Sequence, residues 1–410
     1  MELDLRWVGD DERERVAETR MLCYAPARSE LAGYVERIKN DVRVKAGDFL
    51  LAEEAGQPVG TATSIAMTMW VGGSPVPCQG VAHVGTIKTH RRKAASGKGI
   101  ATVVMNETLR AARERGFVAS ALMPFRGSFY EHFGYGFVER RKEWTLPMAV
   151  LPKGDFGDVR FYRPDDLDEL VRFKQRVTER GHGDIERSHE LWEKYLKAAD
   201  DGHVVVDRAA NGPMRSFMPI EHKHDSAGPD TVLAWETIYE DVPALRRQLH
   251  FLASLRDQYS AVKLTLPGDL RLNLLLAETQ MTHRGNRNHP TAEARPFNRM
   301  QVRVLDHLKL VAAMKLATGA TGSVVVGVRE VEGNVTKLAI EIADGQATAR
   351  PTDASVQVEM PDRIWAPVVF GELPASEAHR LGLLDTTDPR ALSLLDAFAS
   401  GPAPFCHEYF

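Results

Sequence analysis

The order of elements along the chain predicts an α/β protein that closes with an α+β segment. Residues 1–150 run strand–helix–strand, which builds a mixed sheet with a parallel pair. Residues 151–297 make a second pass of similar character without a residue-level repeat. In residues 298–410 alternating strands come first and helices follow, as in a separate α+β domain. A chain of 410 residues fits roughly two to three domains. Its 43% hydrophobic and 26% charged content can fill several cores.

In the first segment a strand is expected at Leu3–Val8, and Asp10 and Asp11 suit the cap of a helix ending near Cys23. A second helix covers 28–39. Strands at Asp48–Glu53 and Gly60–Trp70 meet a hairpin turn at Val71-Gly72-Gly73-Ser74-Pro75, and the strand returns over Val76–Ile87. In Gly99–Gly116, Ile100, Val103, Val104 and Leu109 share a helix face, and Gly116 suits the C-terminal end. Phe117–Leu122 reads as a short, mostly apolar strand buried on both faces. After the linker Leu151–Asp155 come strands at Val159–Tyr162, His203–Asp207, Met214–Ile220, Thr231–Tyr239 and Ala261–Leu266. Helices are expected at Asp165–Arg180 and Pro243–Tyr259, and the loop Arg284–Pro290 ends this pass. The last segment has strands at Gly322–Val328, Lys337–Ala343 and Val356–Val358, then helices at Arg363–Phe370, Ser376–Leu383 and Arg390–Phe398.

A net charge of −4 supplies no field that would draw nucleic acid or a membrane surface. Cys23, Cys78 and Cys406 are too scattered for a disulfide framework or a zinc knuckle, and suit a reducing cytoplasm. The first residues lack the pattern of a signal peptide, and no apolar run nears the ~20 residues of a membrane helix. His222-Lys223-His224-Asp225 offers metal-ligand types without a third ligand in register and reads as a solvated loop, so no metal is expected.

Three constellations can carry chemistry. The first runs from Val84-Gly85-Thr86 through Arg91, Arg92, Lys93 and Gly97-Lys98-Gly99 into Ile100. A strand enters a basic, glycine-containing loop and then a helix, and N–H groups at a helix start suit a pyrophosphate. A solvated basic turn has the same composition. The second is Arg126-Gly127-Ser128-Phe129-Tyr130-Glu131-His132-Phe133-Gly134-Tyr135-Gly136-Phe137, in which Tyr130 and Tyr135 both offer a phenol as proton donor. Either is equally an ordinary core tyrosine. The third is the end of the chain, Pro402–Phe410, with three aromatics in its last six residues and no charged tail beyond. Such an end is expected to be tucked in, either as an aromatic plug or with its α-carboxylate at work. Glu408 suits a cationic substrate or the surface, and His83 suits a groove more than a base.

The loop resembles the acetyl-CoA loop of GNAT acetyltransferases, Arg/Gln-x-x-Gly-x-Gly/Ala, with five extra residues, Ala94–Lys98, before Gly99. Either the loop bulges and Gly97-Lys98-Gly99 still cradles the phosphates, or the cofactor site is altered. The Tyr-x-x-Phe-Gly-Tyr-Gly run from Tyr130, the Thr-His-Arg-Arg loop, the three segments and the terminal phenylalanine together resemble the Eis (enhanced intracellular survival) acetyltransferases over nearly the whole chain.

That resemblance implies tandem GNAT domains followed by a sterol-carrier-protein-like domain. The first would bind acetyl-CoA, the second would lack cofactor, and the third would supply the chain end. It also implies a homohexamer that acetylates amines, including aminoglycosides, by direct attack in a ternary complex. Tyr130 would be the general acid and the α-carboxylate of Phe410 the general base. Acetyl-CoA would lie against Val84, Gly85, Thr86, Arg91, Arg92, Gly97, Lys98, Gly99 and Ile100. Asp10, Asp11 and Glu30 occupy the helical region that covers a GNAT acceptor site, and equally serve as helix caps. A protein-lysine acetyltransferase shares this chemistry. A lipid or small-molecule carrier built on the last segment is the non-enzymatic alternative.

Overall fold

The computed structural model describes residues 3–24, 27–44, 47–91, 99–198, 203–224, 230–279 and 291–410. Two compact units appear, one from Met1–Val138, Met300–Gly401 and Tyr409–Phe410, the other from Glu139–Arg299 and Pro402–Glu408. They carry three sheets of mixed α/β character, two of them GNAT-like.

In the first unit β1 (Asp4–Val8), β2 (Phe49–Glu54), β3 (Gln57–Val71) and β4 (Ser74–Thr86) form an antiparallel run, and β5 (Ala119–Leu122) pairs in parallel with β4. Gln301–Val304 then separates β5 from β6 (Gly136–Phe137). Alternation splits the core between the sheet faces. Phe49 and Leu51 of β2 face α1 (Arg13–Tyr24) and α2 (Leu31–Lys39), whereas Leu50 and Ala52 face α3 (Ile100–Glu114). The same unit holds a five-stranded sheet whose centre is Gly322–Arg329, antiparallel to Val335–Ala343 and parallel to Val358–Pro361. Asp362–Val369 covers it with the fully buried Trp365.

The second unit's sheet is built around Arg140–Pro147, which lies between Ala261–Pro267 and Glu293–Asn298. Neither expected segment boundary, 150 nor 298, is where strands change sheets. Arg140–Pro147 belongs to the second sheet and Gln301–Val304 to the first. Nothing in the alternation of either strand names its partner, since period-two patterning fixes the face and not the neighbour.

Several local expectations are corrected. Thr231–Tyr239 is two strands, Thr231–Ala234 and Ile238–Tyr239; both pair with Ser216–Lys223, and the first also pairs with Ala261–Pro267. Asp10–Glu12 is a 3₁₀ turn before α1, and no side chain caps it. His189–Ala198 is a helix that the apolar pattern did not signal. The loop Arg284–Pro290 lies outside the described residues.

Candidate functional site

β4 organises the site. It pairs with β5 only at Cys78, Gln79 and Gly80, then runs on alone to Thr86. A bulge marks the departure: the β3–β4 register shifts between Thr61 and Thr63, and His83 adopts φ 53°. Left-handed backbone is costly for a residue with a Cβ and persists where the surroundings enforce it. Along this stretch β4 turns backbone groups toward an opening instead of toward a neighbouring strand.

The candidate donor residues line that stretch. Val84 is buried, and its carbonyl accepts a 2.7 Å hydrogen bond from the Tyr24 hydroxyl. Gly85 lies beneath the end of α1, where a Cβ would come within 2.8 Å of the Cys23 Cβ. Thr86 pairs with Gly60. Arg91 is exposed. Gly99 occupies the N-cap position of α3 in extended conformation, and no side chain caps the helix. Only the N–H groups of Thr102 and Val103 reach the Gly99 carbonyl, so Ile100 opens a helix whose first donors remain suited to an anion. Arg92, Gly97 and Lys98, with the insertion Ala94–Lys98, lie outside the described residues.

Tyr130 is in α4 (Gly127–Glu131) and packs in one core with Val81, Val84 and Leu122. The Phe129 ring meets it edge-on at 4.9 Å. The ring is 5% exposed, burial pushes its pKa up to about 12, and its hydroxyl makes no hydrogen bond among the described residues. Tyr135 differs. Its hydroxyl is 2.7 Å from the Ser120 hydroxyl, which donates to Gln79 Oε1 at 2.8 Å, and Gln79 donates to Ser64 at 2.8 Å. That phenol is committed to a buried chain, whereas the Tyr130 phenol has no such partner among the described residues. The glycines on either side of Tyr135 answer to the helix Asp362–Val369: a Cβ at Gly134, whose φ is 78°, would strike the Asp362 carboxylate, and one at Gly136 would strike the Arg363 carbonyl.

Phe410 approaches β4 from the other face. Its ring lies over Gly80, 3.1 Å from where a Cβ would stand, and belongs to the core that holds Phe49, Ile65 and Ala82. The aromatic end is only partly tucked in, because the Tyr409 ring is 72% exposed. The Tyr409 carbonyl accepts a 3.1 Å hydrogen bond from Arg43. Within the second unit Glu408 receives a 2.6 Å hydrogen bond from Arg187 Nε, and burial raises its carboxyl above the usual range. Its charge is therefore engaged, which corrects the expectation that it holds a cationic substrate.

The acids of the helical region that would cover an acceptor are engaged or exposed. Asp10 accepts from Arg13 at 2.8 Å, and Asp11 and Glu30 are exposed. What sequence reasoning missed is Arg20, buried with its guanidinium donating to Thr63 Oγ1, and Thr63 Oγ1 lies 3.5 Å from His83 Nδ1. An arginine among α1's apolar residues was the available signal. Packing around the imidazole first, and Arg20 and Arg43 next, lower the His83 pKa to about 3. Burial pushes the Cys23 and Cys78 thiols up to about 12, so neither is a ready thiolate. His222 stacks on Tyr259 and His224 pairs with Asp230 at 3.0 Å, while Asp225 lies outside the described residues. Glu330, Glu332 and Asp362 cluster, but Arg303 and His307 already hold the two glutamates.

A strand that splits from its parallel neighbour, followed by a helix with an open N-terminus, is the donor-binding frame of the GNAT fold. The family model of the acetyltransferase (GNAT) domain matches residues 4–138. The chain is thus a GNAT N-acetyltransferase, and a GNAT domain takes an acyl-CoA donor. It is 26% identical over 369 residues to the N-acetyltransferase Eis of Mycobacterium tuberculosis, covering 86% of each chain. It is 24% identical over 367 residues to an uncharacterized N-acetyltransferase of Streptomyces avermitilis, covering 83% of this chain and 82% of that one. The fold matches Eis1 of Mycobacterium abscessus over the whole of both chains, with TM-score 0.80 and 20% identity. It matches a GCN5-related N-acetyltransferase of Anabaena variabilis with TM-score 0.83 and 17% identity, again over both chains. The protein is an Eis-like N-acetyltransferase.

Proposed function

We propose that the chain transfers an acetyl group from acetyl-CoA to a small-molecule amine by direct attack in a ternary complex. The observation that carries this reading is the unpaired stretch of β4 leading to the uncapped start of α3. One binds the pantetheine amides and thioester, the other the pyrophosphate. The amine nitrogen attacks the thioester carbonyl, the C–N bond forms and the C–S bond breaks. The acceptor ammonium gives one proton to the α-carboxylate of Phe410; on collapse of the adduct the thiolate takes a proton from Tyr130, and the second proton leaving the nitrogen returns through solvent to restore the phenol. Backbone N–H groups around Val84 and Thr86 polarise the carbonyl. Tyr130 and Phe410 flank β4 from opposite faces, as an acid and a base on either side of a thioester would. The raised thiol pKa values of Cys23 and Cys78 argue against a covalent acyl-enzyme.

Aminoglycoside-like polyamines are the acceptors that the resemblance implies, with protein lysines as the variant sharing this chemistry. By the same reading the second GNAT-like part lacks cofactor. Its helix Val242–Ser254 begins with Asp241, whose carboxylate accepts from the Ala244 N–H at 2.8 Å, where a phosphate would otherwise sit. The remaining inferences are a sterol-carrier-protein-like last part and a homohexamer, the latter to be read by sedimentation. Calorimetric titration with acetyl-CoA followed by a screen of amine acceptors tests the central claim. Absence of both binding and thiol release would refute it.

A further inference from the structure

The second sheet has a cavity where its parallel strands part. Thr231–Ala234 pairs with residues 261–264 and then leaves them, and Ile238–Tyr239 pairs with residues 216 and 217 instead. Residues 265–267 keep to residues 141–143 on their other side. Crevices beyond the carboxyl ends of parallel strands are where α/β sheets take small ligands. The cavity here measures about 310 Å³, the lower end of the ~300–1,000 Å³ of small-molecule sites, and lies wholly within the second unit. One bank is Tyr239 and Glu240, the other Pro267, Asp269 and Leu270, and the chain-end segment from Pro402 to His407 supplies a further wall.

The uncommitted polar atoms of this cavity are hydrogen-bond acceptors. Asp184 is buried, and its two oxygens accept from Lys174 Nζ at 3.0 Å and from the His407 N–H at 2.9 Å. Burial opposes its ionisation, yet Lys174 and His407 hold the carboxyl well below the usual carboxylate range. An ionised carboxylate cannot donate, so the 2.9 Å contact of His407 Nδ1 with Asp184 Oδ2 is an Nδ1–H donation. In the neutral ring that leaves Nε2 with a bare lone pair. Asp269 is exposed at the rim, and its carboxylate makes no hydrogen bond or ion pair among the described residues. Its charge bears on the cavity, because burial first and Asp269 next push the Tyr239 phenol up to about 12. Arg180 is a cation of the lining, and Glu240 already engages it at 2.8 Å. Acceptors beside an unpaired carboxylate call for a ligand that donates hydrogen bonds and carries positive charge. A metal ion is not that ligand: among the described residues the atoms that converge for one belong to Glu330, Glu332 and Asp362.

We propose that this cavity binds a small organic ammonium, with its N–H donors on the Asp269 carboxylate and His407 Nε2 and its apolar body against Pro267, Leu270 and the Phe405 ring. The Tyr239 hydroxyl takes the remaining donor, and the face of its ring favours the cation. The site belongs to the second sheet and goes beyond the acetyl-transfer reading, on which it does not depend.

The test titrates the full chain, without acetyl-CoA, with 2-phenylethylamine and with 2-phenylethanol, which differ in an ammonium against a hydroxyl. Calorimetry should show the amine binding at least about 10-fold more tightly, the worth of a charge-assisted hydrogen bond. Asp269→Asn keeps the shape and removes the charge, and that preference should fall at least about fivefold. The Asp269 side chain has no hydrogen bond to lose among the described residues, so the variant should fold. A crystal soaked in the amine should show it between Tyr239 and Asp269. For any amine that the chain acetylates, kcat/KM should be the same in D269N as in the wild type. An amine that binds the wild type no more tightly than the alcohol overturns the proposal, whatever D269N does. So does a folded D269N that keeps the wild-type preference, or a soaked amine seen only in the first unit. A loss of acetylation in D269N that matches its loss of binding would merge this site with the acceptor's and overturn a separate one. The titration needs no turnover, so it decides this proposal even where the transferase reading fails.

Discussion

Replacing Tyr130 by phenylalanine separates chemistry from folding with unusual clarity. The substitution deletes one oxygen whose loss breaks no hydrogen bond among the described residues and leaves the edge contacts with Phe129 and Phe125 intact. Stability should therefore change by less than about 0.5 kcal/mol. If the phenol protonates the departing thiolate, kcat should fall by roughly 10²- to 10⁴-fold. Tyr135→Phe is the control. It breaks the fully buried bond to Ser120 at 2.7 Å and should cost about 1–2 kcal/mol in urea unfolding with a much smaller loss of kcat. Burial holds the Tyr130 phenol at about 12, so the acid stays protonated as pH rises through the range where amines lose their protons. Thiol release measured between about pH 7 and pH 10 should show the same alkaline limb in wild type and Tyr130→Phe, merely scaled down. Equal rates in the two proteins, or a limb near pH 9 that vanishes with the hydroxyl, would refute the reasoning.

Other perturbations follow from single contacts. Adding one glycine after Phe410 moves the carboxylate off the residue whose ring is seated on Gly80, and kcat should drop at least about 100-fold with the melting temperature little changed. Gly80→Val puts a branched side chain where that ring and the Met67 methyl lie, and should reproduce the loss by displacing them. Gly136→Ala drives a methyl into the Arg363 carbonyl and should cost about 3 kcal/mol, read from denaturant midpoints. Asp241→Ala should cost about 1 kcal/mol through loss of the helix cap, without creating acetyl-CoA binding in calorimetry.

Much of the fold was readable because local patterns were consistent. The hairpin at Val71–Pro75, the amphipathic helix ending before Gly116 and the parallel pairing of a mostly apolar strand with β4 follow from turn chemistry, a 3.6-residue period and two-faced burial. The membership of Arg140–Pro147 and Gln301–Val304 was not readable, because pairing partners distant in sequence leave no mark on either strand. At the candidate site, glycines and aromatics announced themselves through residue type. Arg20 did not, since its burial beside Thr63 and Phe49 is a property of tertiary structure. Glu408 misled for the opposite reason: its charge is spoken for by Arg187, a partner far away in sequence.

The two helices that follow comparable strands explain how one architecture can serve two ends. Gly99 leaves the start of α3 without a side-chain cap, and the partial positive charge of that helix end remains available to an incoming phosphate. Asp241 supplies the same charge complement from within the chain, capping Ala244 and pairing with Arg215 at 2.7 Å. A pyrophosphate there would meet a fixed carboxylate instead of free donors. The first arrangement leaves helix ends unsatisfied until ligand arrives, so stability is deferred to binding; the second takes the stability at once, which would exclude the ligand if the proposed reading holds. Acetyl-CoA should therefore raise the melting temperature by filling the α3 end alone, saturating at one equivalent per chain. Two equivalents would mean that the carboxylate of Asp241 does not exclude the donor, and the argument from capping would fall.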